Sequence, residues 1–141
     1  GHRLYSLAAA DFMRMDAAAR ADGIDLGITD SYRDYNTQVA ALLTRFTTTP
    51  NGSNTTRTYQ GQTWYLKPGY AGVASPGKSD HGWGMAVDLN IGTTANLRWI
   101  HSHDELYGWC PNVQSEAWHF TWVGVGNYCN SGWSSDGRQA R

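Results

Sequence analysis

The spacing of apolar residues predicts three helices, over residues 7–21, 34–46 and 93–107. Apolar positions three or four apart share one face of a helix, because a helix turns once in 3.6 residues. The first helix has such a face at Ala8, Phe12, Met15 and Ala19. The second has one at Val39, Leu42, Leu43 and Phe46. Ser6 is the predicted N-cap of the first helix, and Gly23 is its predicted end.

Residues that commonly end helices also bound the other two. Asp34 or Asn36 is the predicted N-cap of the second helix, and Thr93 or Thr94 that of the third. Gly108 is the predicted end of the third helix, since glycine readily takes the left-handed conformation that closes a helix.

Three segments are predicted as strands, over residues 24–29, 85–91 and 116–125. The first alternates apolar with polar residues, which is the pattern of a strand with one buried face. In the second, Val87 and Asp88 face opposite sides because side chains alternate along a strand. The segments are too few for a doubly wound sheet. We therefore expect an α+β fold, a small antiparallel sheet flanked by helices that pack on one side of it.

Periodicity is absent between residues 47 and 78, apart from a short strand or loop anchor at residues 64–66. A connection this long in a small domain is more often functional than idle. No second core is predicted there. We expect one domain over residues 1–129, followed by a polar tail or the start of a linker over residues 130–141.

The charge balance excludes several classes of partner. Eleven Lys and Arg stand against twelve Asp and Glu, without basic clusters, so we expect no binding to nucleic acid. No apolar run has the length of a membrane span, so we expect no membrane insertion. We expect a monomer. The seven Trp and eight Tyr would also suit an aromatic-rich carbohydrate-binding domain, which would hold no zinc.

The two cysteines, Cys110 and Cys129, would close a loop of about 20 residues. A bond between them would stabilise the fold by about 3 kcal/mol on the chain-entropy model. Such a bond would imply an oxidising compartment. Two buried free thiols are the alternative.

Two short stretches offer the ligands of a catalytic metal site. His81 and Asp88 lie in one, and Glu116 and His119 lie in the other. Two imidazoles and a carboxylate suit a zinc site with an open fourth position, and the spare carboxylate suits a general base. Residues three apart face opposite sides of a straight strand. Glu116 can therefore serve the site only from a turn or bulge just before the strand, and residues 114–115 are compatible with that.

This chemistry requires a proton acceptor and a stabiliser of negative charge. Zinc lowers the pKa of bound water toward about 7. Glu116 would take the proton and pass it to the leaving amine. Arg33, at a strand-to-helix junction, is the candidate to stabilise the oxyanion, an effect of about 3–4 kcal/mol. His101 and His103 are treated as non-ligands, because side chains two apart on a helix point about 200° apart.

The two stretches together resemble a family signature, Ser79-x-His81-x-x-Gly84-x-Ala86-x-Asp88 followed by Glu116-x-Trp118-His119. It is similar to that of the zinc D-alanyl-D-alanine carboxypeptidases and related L-alanyl-D-glutamate peptidases. This group of peptidoglycan peptidases includes VanY-like enzymes and phage endolysins, with hedgehog domains as distant relatives. The resemblance extends upstream to Ser31, Arg33 and Gln38 and downstream through residues 99–109.

The resemblance implies one zinc ion and a peptidoglycan stem peptide as the partner. It implies three metal ligands, His81, Asp88 and His119. It implies Glu116 as the general base and Arg33 as the stabiliser of the transition state. It implies substrate contacts from Gln38 and Ser79, and a role for Trp118 in shaping the cleft.

The resemblance leaves the scissile bond open. Many carboxypeptidases of the family have a longer segment where this chain has only residues 109–115. That difference favours a lytic, endolysin-like endopeptidase, secreted or phage-encoded, that acts on the cell wall outside the cell. A D,D- or L,D-carboxypeptidase that trims terminal D-alanine is the alternative. A further alternative is a binding module that keeps zinc only for stability.

Overall fold

The structure is a computed structural model that describes residues 1–113, 116–127 and 129. It divides into two compact units. One unit comprises Gly1–Tyr32 together with the chain from Trp83 onward, and the other comprises Arg33–Gly82. The expected tail over residues 130–141 lies outside the described residues.

The helices and strands follow one another along the chain in this order: α1 (Ser6–Ala21), β1 (Ile28–Asp30), α2 (Tyr35–Arg45), β2 (Phe46–Thr47), β3 (Thr56–Tyr59), β4 (Gln62–Leu66), β5 (Ala86–Leu89), α3 (Thr94–His103), β6 (Trp109–Cys110) and β7 (His119–Trp122). Two short 3₁₀ turns lie at Asp80–Trp83 and Asp104–Tyr107. No helix among the described residues is both long and apolar enough to cross a membrane.

The first unit is built on a four-stranded sheet in the order β1-β5-β7-β6. Every neighbouring pair in this sheet is antiparallel. The core joins side chains of α1, α3, the sheet and the segment before β1: Ala8, Phe12, Met15, Ala19, Leu26, Val87, Leu89, Trp99, Ile100, Trp109 and Phe120. The α+β prediction, with helices beside a small antiparallel sheet, is confirmed.

Strand register separates the core from the polar face of this sheet. Val87 lies opposite Phe120, and both are buried in the core. The next pair along, Asp88 opposite His119, must point to the other face because side chains alternate. The sheet thus packs one face on the helices and presents a carboxylate beside an imidazole on the other.

The first helix begins differently from the prediction. Its N-cap is Tyr5, which makes no side-chain capping bond, so the prediction of Ser6 as cap is wrong. The amide of Tyr5 donates to the carbonyl of Gly84 at 2.8 Å, which fixes the chain where it turns into the helix. A Cβ on Gly84 would lie 2.6 Å from that amide nitrogen, so only glycine permits the approach. Gly23, with φ of 74°, follows the helix end as predicted.

The observed strands of this unit are shorter than predicted. Residues 24–27 precede β1, because the carbonyls of Leu26 and Gly27 both accept from the amide of Asn90, at 3.1 and 2.8 Å, outside the regular ladder. The last strand starts only at His119. The third helix ends at His103 and continues as a 3₁₀ turn, after which Gly108 takes a φ of 82°.

The second unit contains a structure that the sequence pattern does not predict. Strands β2, β4 and β3 form an antiparallel sheet within the segment expected to be an irregular loop. Gln60 and Gly61 join β3 to β4 with φ values of 52° and 71°. Positive φ at both central residues is the requirement of a type I′ hairpin turn. The expectation of a structureless connection over residues 47–78 is therefore wrong, although residues 64–66, predicted as a short strand or loop anchor, do lie in strand β4.

The helix of this unit, α2, buries only part of the face that was expected. Asp34 caps it as predicted, accepting from the amide of Thr37 at 2.8 Å. Leu42 and Phe46 are buried, but Leu43 is 51% exposed. Gln38 is buried instead, with 6% of its surface exposed.

Candidate metal centre

Three side chains named from the sequence come together as a potential metal site. His81, Asp88 and His119 each offer one ligand atom, and these atoms all lie within 4.8 Å of one another. His81 is 1% exposed and His119 is 6% exposed, so both imidazoles are shielded from bulk water. Two imidazole nitrogens and a carboxylate oxygen are a donor set that suits zinc with a fourth position left open.

The sheet register determines where two of these ligands lie. Asp88 on β5 and His119 on β7 are directly opposite in an antiparallel pair. Their nearest side-chain atoms, Oδ1 of Asp88 and Nδ1 of His119, are 3.3 Å apart. The pairing of β5 with β7 therefore places these two ligands side by side, and no long loop is needed to do so.

A hydrogen-bonded chain sets the orientation of the His119 ring. The hydroxyl of Thr121 donates to Oδ1 of Asn112 at 2.8 Å. The Thr121 oxygen lies 3.1 Å from Nε2 of His119 and can accept its N–H. This assignment leaves the lone pair of Nδ1 directed toward Asp88. Metal-binding histidines commonly donate their other N–H in this way, which fixes the tautomer.

Thr121 and Asn112 were not named from the sequence. Thr121 could have been found, because residues two apart on a strand share a face and His119 was already assigned to β7. Asn112 lies in the loop between β6 and β7, where no periodic pattern indicates side-chain direction.

The backbone amide and carbonyl of His81 both form hydrogen bonds within the second unit, and these bonds hold the turn. The amide of His81 donates to Oγ of Ser79 at 3.2 Å. The amide of Arg33 donates to the carbonyl of His81 at 3.1 Å. Ser79, expected to contact substrate, thus supports the turn that carries a ligand. Gln38, also expected to contact substrate, donates from Nε2 to the carbonyl of Arg33 at 3.0 Å.

Glu116 lies before strand β7 and not within it. The proposed role as base requires such a position. Glu116 precedes a turn at residues 117–118 and is half-buried. Its carbonyl accepts from the amide of His119 at 3.1 Å, and its own amide donates to the carbonyl of Val113 at 3.0 Å. Residues 114–115, which were expected to provide the bend, lie outside the described residues. The half-buried Trp118 accepts from the amide of Leu89 through its carbonyl at 2.9 Å.

The other candidates of the sequence fall outside the metal group. His101 and His103, treated as non-ligands, are not part of the group found among the described residues. The His103 ring stacks on Trp99 with centroids 4.1 Å apart. Cys110 and Cys129 form a disulfide, with Cα atoms 5.4 Å apart. This bond encloses the segment of chain that includes Glu116 and His119.

Comparison with known proteins shows that the chain is similar to a known family. A family model described as VanY, D-alanyl-D-alanine carboxypeptidase, matches residues 1–125. A D-alanyl-D-alanine carboxypeptidase of Enterococcus faecalis strain V583 is 28% identical over 130 residues, covering 77% of this chain. The alignment covers 44% of that protein, so the chain spans less than half the length of this relative.

Solved structures resemble the fold along most of the chain. A mutant of the vancomycin resistance D,D-pentapeptidase VanY, in complex with Zn(II), has a TM-score of 0.63 at 25% identity and covers 89% of this chain and 75% of its own. VanYB in complex with D-alanine-D-alanine has a TM-score of 0.62 at 25% identity, covering 89% and 74%. The LD-carboxypeptidase LdcB, at 23% identity and a TM-score of 0.60, covers 87% and 60% and supports the fold alone.

Proposed function

The chain belongs to the VanY family of D-alanyl-D-alanine carboxypeptidases, and we propose that it is a zinc-dependent peptidase of peptidoglycan stem peptides. The observation that carries the proposal is the cluster of His81, Asp88 and His119 within 4.8 Å. A similar structure binds Zn(II) and another binds D-alanine-D-alanine, which supports the choice of metal and substrate. Such a peptidase would work at the cell wall, outside the cell.

In this proposal the three ligands bind the metal, and three further residues have separate roles. His81, Asp88 and His119 would hold a zinc ion, which would supply Lewis-acid chemistry and activate water when bound. Glu116 accepts the proton of the attacking water and later delivers it to the nitrogen of the leaving amine. Arg33 stabilises the negative charge that develops on the carbonyl oxygen of the scissile bond. Thr121 keeps the His119 ring in the tautomer that a metal requires.

The family favours removal of a terminal D-alanine, and we propose this carboxypeptidase reaction as the principal activity. One observation favours an internal cut instead: only residues 109–115 separate Gly108 from Glu116. A defined muropeptide with a D-alanyl-D-alanine end separates the two activities by mass spectrometry. Loss of one terminal alanine supports the carboxypeptidase, whereas two large peptide fragments would identify an endopeptidase of a secreted or phage-encoded lytic type.

The variant Glu116→Gln tests whether the chain is an enzyme or a zinc-stabilised binding module. The change keeps the side-chain shape but removes the proton acceptor, so hydrolysis should fall by about 10²–10⁴-fold. Zinc content, measured on the same samples, should remain at one ion per chain. Unchanged hydrolysis would refute the role of Glu116. A wild-type chain that binds zinc without cleaving any stem peptide would favour the binding module.

A further inference from the structure

A buried amide in the second unit has a role that its position in the sequence does not indicate. Gln38 lies in the first half of α2 and is 6% exposed. Its Nε2 donates to the carbonyl of Arg33 at 3.0 Å, and its Oε1 accepts from the amide of Gly77 at 2.8 Å. Both ends of the side-chain amide therefore bind backbone, so the protein fixes the orientation of the group at its donor and at its acceptor.

The two backbone groups belong to segments that carry site residues. The carbonyl is that of Arg33, whose own amide donates to the carbonyl of His81 at 3.1 Å. The amide is that of Gly77, at the start of the segment that leads through Ser79 to His81. One side chain thus joins α2 to the Arg33 segment and to the turn that holds a metal ligand.

Gly82 provides independent evidence of close packing against this amide. A Cβ at Gly82 would lie 2.5 Å from Nε2 of Gln38, a distance that real Cβ atoms essentially never show. Gly82 is not among the glycines with positive φ, so its backbone would accept alanine. A larger residue at position 82 would therefore require the Gln38 amide to move, whereas the backbone conformation would not oppose it.

We propose that Gln38 is a positioning residue whose amide holds the His81 turn against the Arg33 segment, and that it does not act by contacting substrate. The consequence for zinc rests on the proposed function, because His81 is a ligand only if the cluster binds metal. The packing between Gln38 and Gly82 does not depend on that function.

The variant Gln38→Ala distinguishes positioning from substrate contact. A positioning role predicts zinc affinity about tenfold lower in chelator competition, as for other partners that orient ligands. It also predicts a changed visible spectrum of the Co²⁺-substituted protein, and a lower kcat with KM unchanged. A substrate contact predicts the reverse pattern: a raised KM with zinc affinity and spectrum as in the wild type. The matched control is Gln62→Ala, an exposed glutamine in the same unit, which should change none of these quantities.

A double-mutant cycle tests the packing directly. Gly82→Ala alone should lower zinc affinity and thermal stability, because the new methyl group displaces the amide. In the Gln38→Ala background the same change meets no amide and should cost little, so the two effects should be strongly non-additive. Additive effects would overturn the proposal.

Two further measurements keep the result interpretable. If Gln38→Ala fails to fold, Gln38→Glu replaces it, because this change keeps the acceptor for Gly77 and removes the donor to Arg33. Smaller losses of the same kind support the proposal, and wild-type zinc affinity in Gln38→Glu contradicts it. A wild-type chain without zinc binding would refute the proposed function, while the coupling of Gln38 to Gly82 would still be measurable in thermal unfolding.

Discussion

A threonine two positions after His119 determines which ring nitrogen faces Asp88. The hydroxyl of Thr121 donates to Asn112, so its oxygen accepts from Nε2 of His119. The Nδ1 lone pair is then already directed toward the cluster before a metal arrives. Orientation of this kind strengthens metal binding without adding a ligand.

Replacing this hydroxyl should weaken zinc binding while the fold is kept. Thr121→Val has the same shape but removes the acceptor for the His119 ring, so zinc affinity should fall by about 10–100-fold. Competition with a chelator of known affinity measures the change. Thr121→Ser keeps the hydroxyl and should retain affinity close to that of the wild type. A loss in Thr121→Ser without a loss in Thr121→Val would mean that the methyl group of Thr121, and not its hydroxyl, matters.

The hydrophobic pattern does not predict correctly which single residues of α2 are buried. On α2 the pattern predicts a buried Leu43, yet this leucine is 51% exposed while Gln38 is buried. The pattern fails because an amide with both ends bonded to backbone can be buried at little cost. Such bonds depend on Arg33 and Gly77, which periodicity within the helix does not reveal.

At the scale of elements, the local sequence predicts the helices and the strands that carry site residues, β5 and β7, better than it predicts the hairpin of β3 and β4. The buried apolar positions of α1 were all predicted, because a long amphipathic pattern is a strong signal, whereas the buried Asp11 was not predicted. Strand β3 and its pairing with β4 were missed, whereas residues 64–66 of β4 are predicted as a short strand or loop anchor. The partly exposed, threonine-rich residues of these two strands lack the apolar alternation that identifies a strand. Sequence proximity also could not predict the order β1-β5-β7-β6, which is set by tertiary pairing.

The N-cap of α2 provides a prediction at this scale. Asp34→Ala removes the carboxylate that accepts from the amide of Thr37, so the free energy of unfolding should fall by about 1 kcal/mol. Urea unfolding followed by circular dichroism measures it. Asp34→Asn retains a side-chain acceptor and should be nearly as stable as the wild type. A loss of similar size in Asn36→Ala, which removes no capping bond, would contradict the capping explanation.

At the scale of the whole chain, the disulfide is the covalent constraint on the segment that carries Glu116 and His119. Cys110 and Cys129 are both buried and are separated by 19 residues. On the chain-entropy model, a loop of this size restricts the unfolded state enough to stabilise the fold by about 3 kcal/mol. The motifs alone name the ligands and the candidate base. For the two cysteines the sequence allows either a bond or two free thiols, and the structure has the bond.

Removing both sulfur atoms should therefore lower stability by that amount. The double variant Cys110→Ala with Cys129→Ala should unfold at a lower urea concentration, with a free energy of unfolding about 3 kcal/mol smaller. Wild-type protein treated with a reducing agent should unfold like the variant. If the variant is as stable as the oxidised protein, the disulfide contributes nothing to the folded state.

The same bond has a consequence for how the chain would respond to cleavage by proteases. One backbone cut anywhere between Cys110 and Cys129 leaves two polypeptides, but the disulfide still joins them. The C-terminal piece would migrate with the rest of the chain on a denaturing gel until a reducing agent released it. A gel run without a reducing agent would thus not reveal a cut in this segment. The cleaved molecule would still hold His119 in the same covalent assembly as His81 and Asp88.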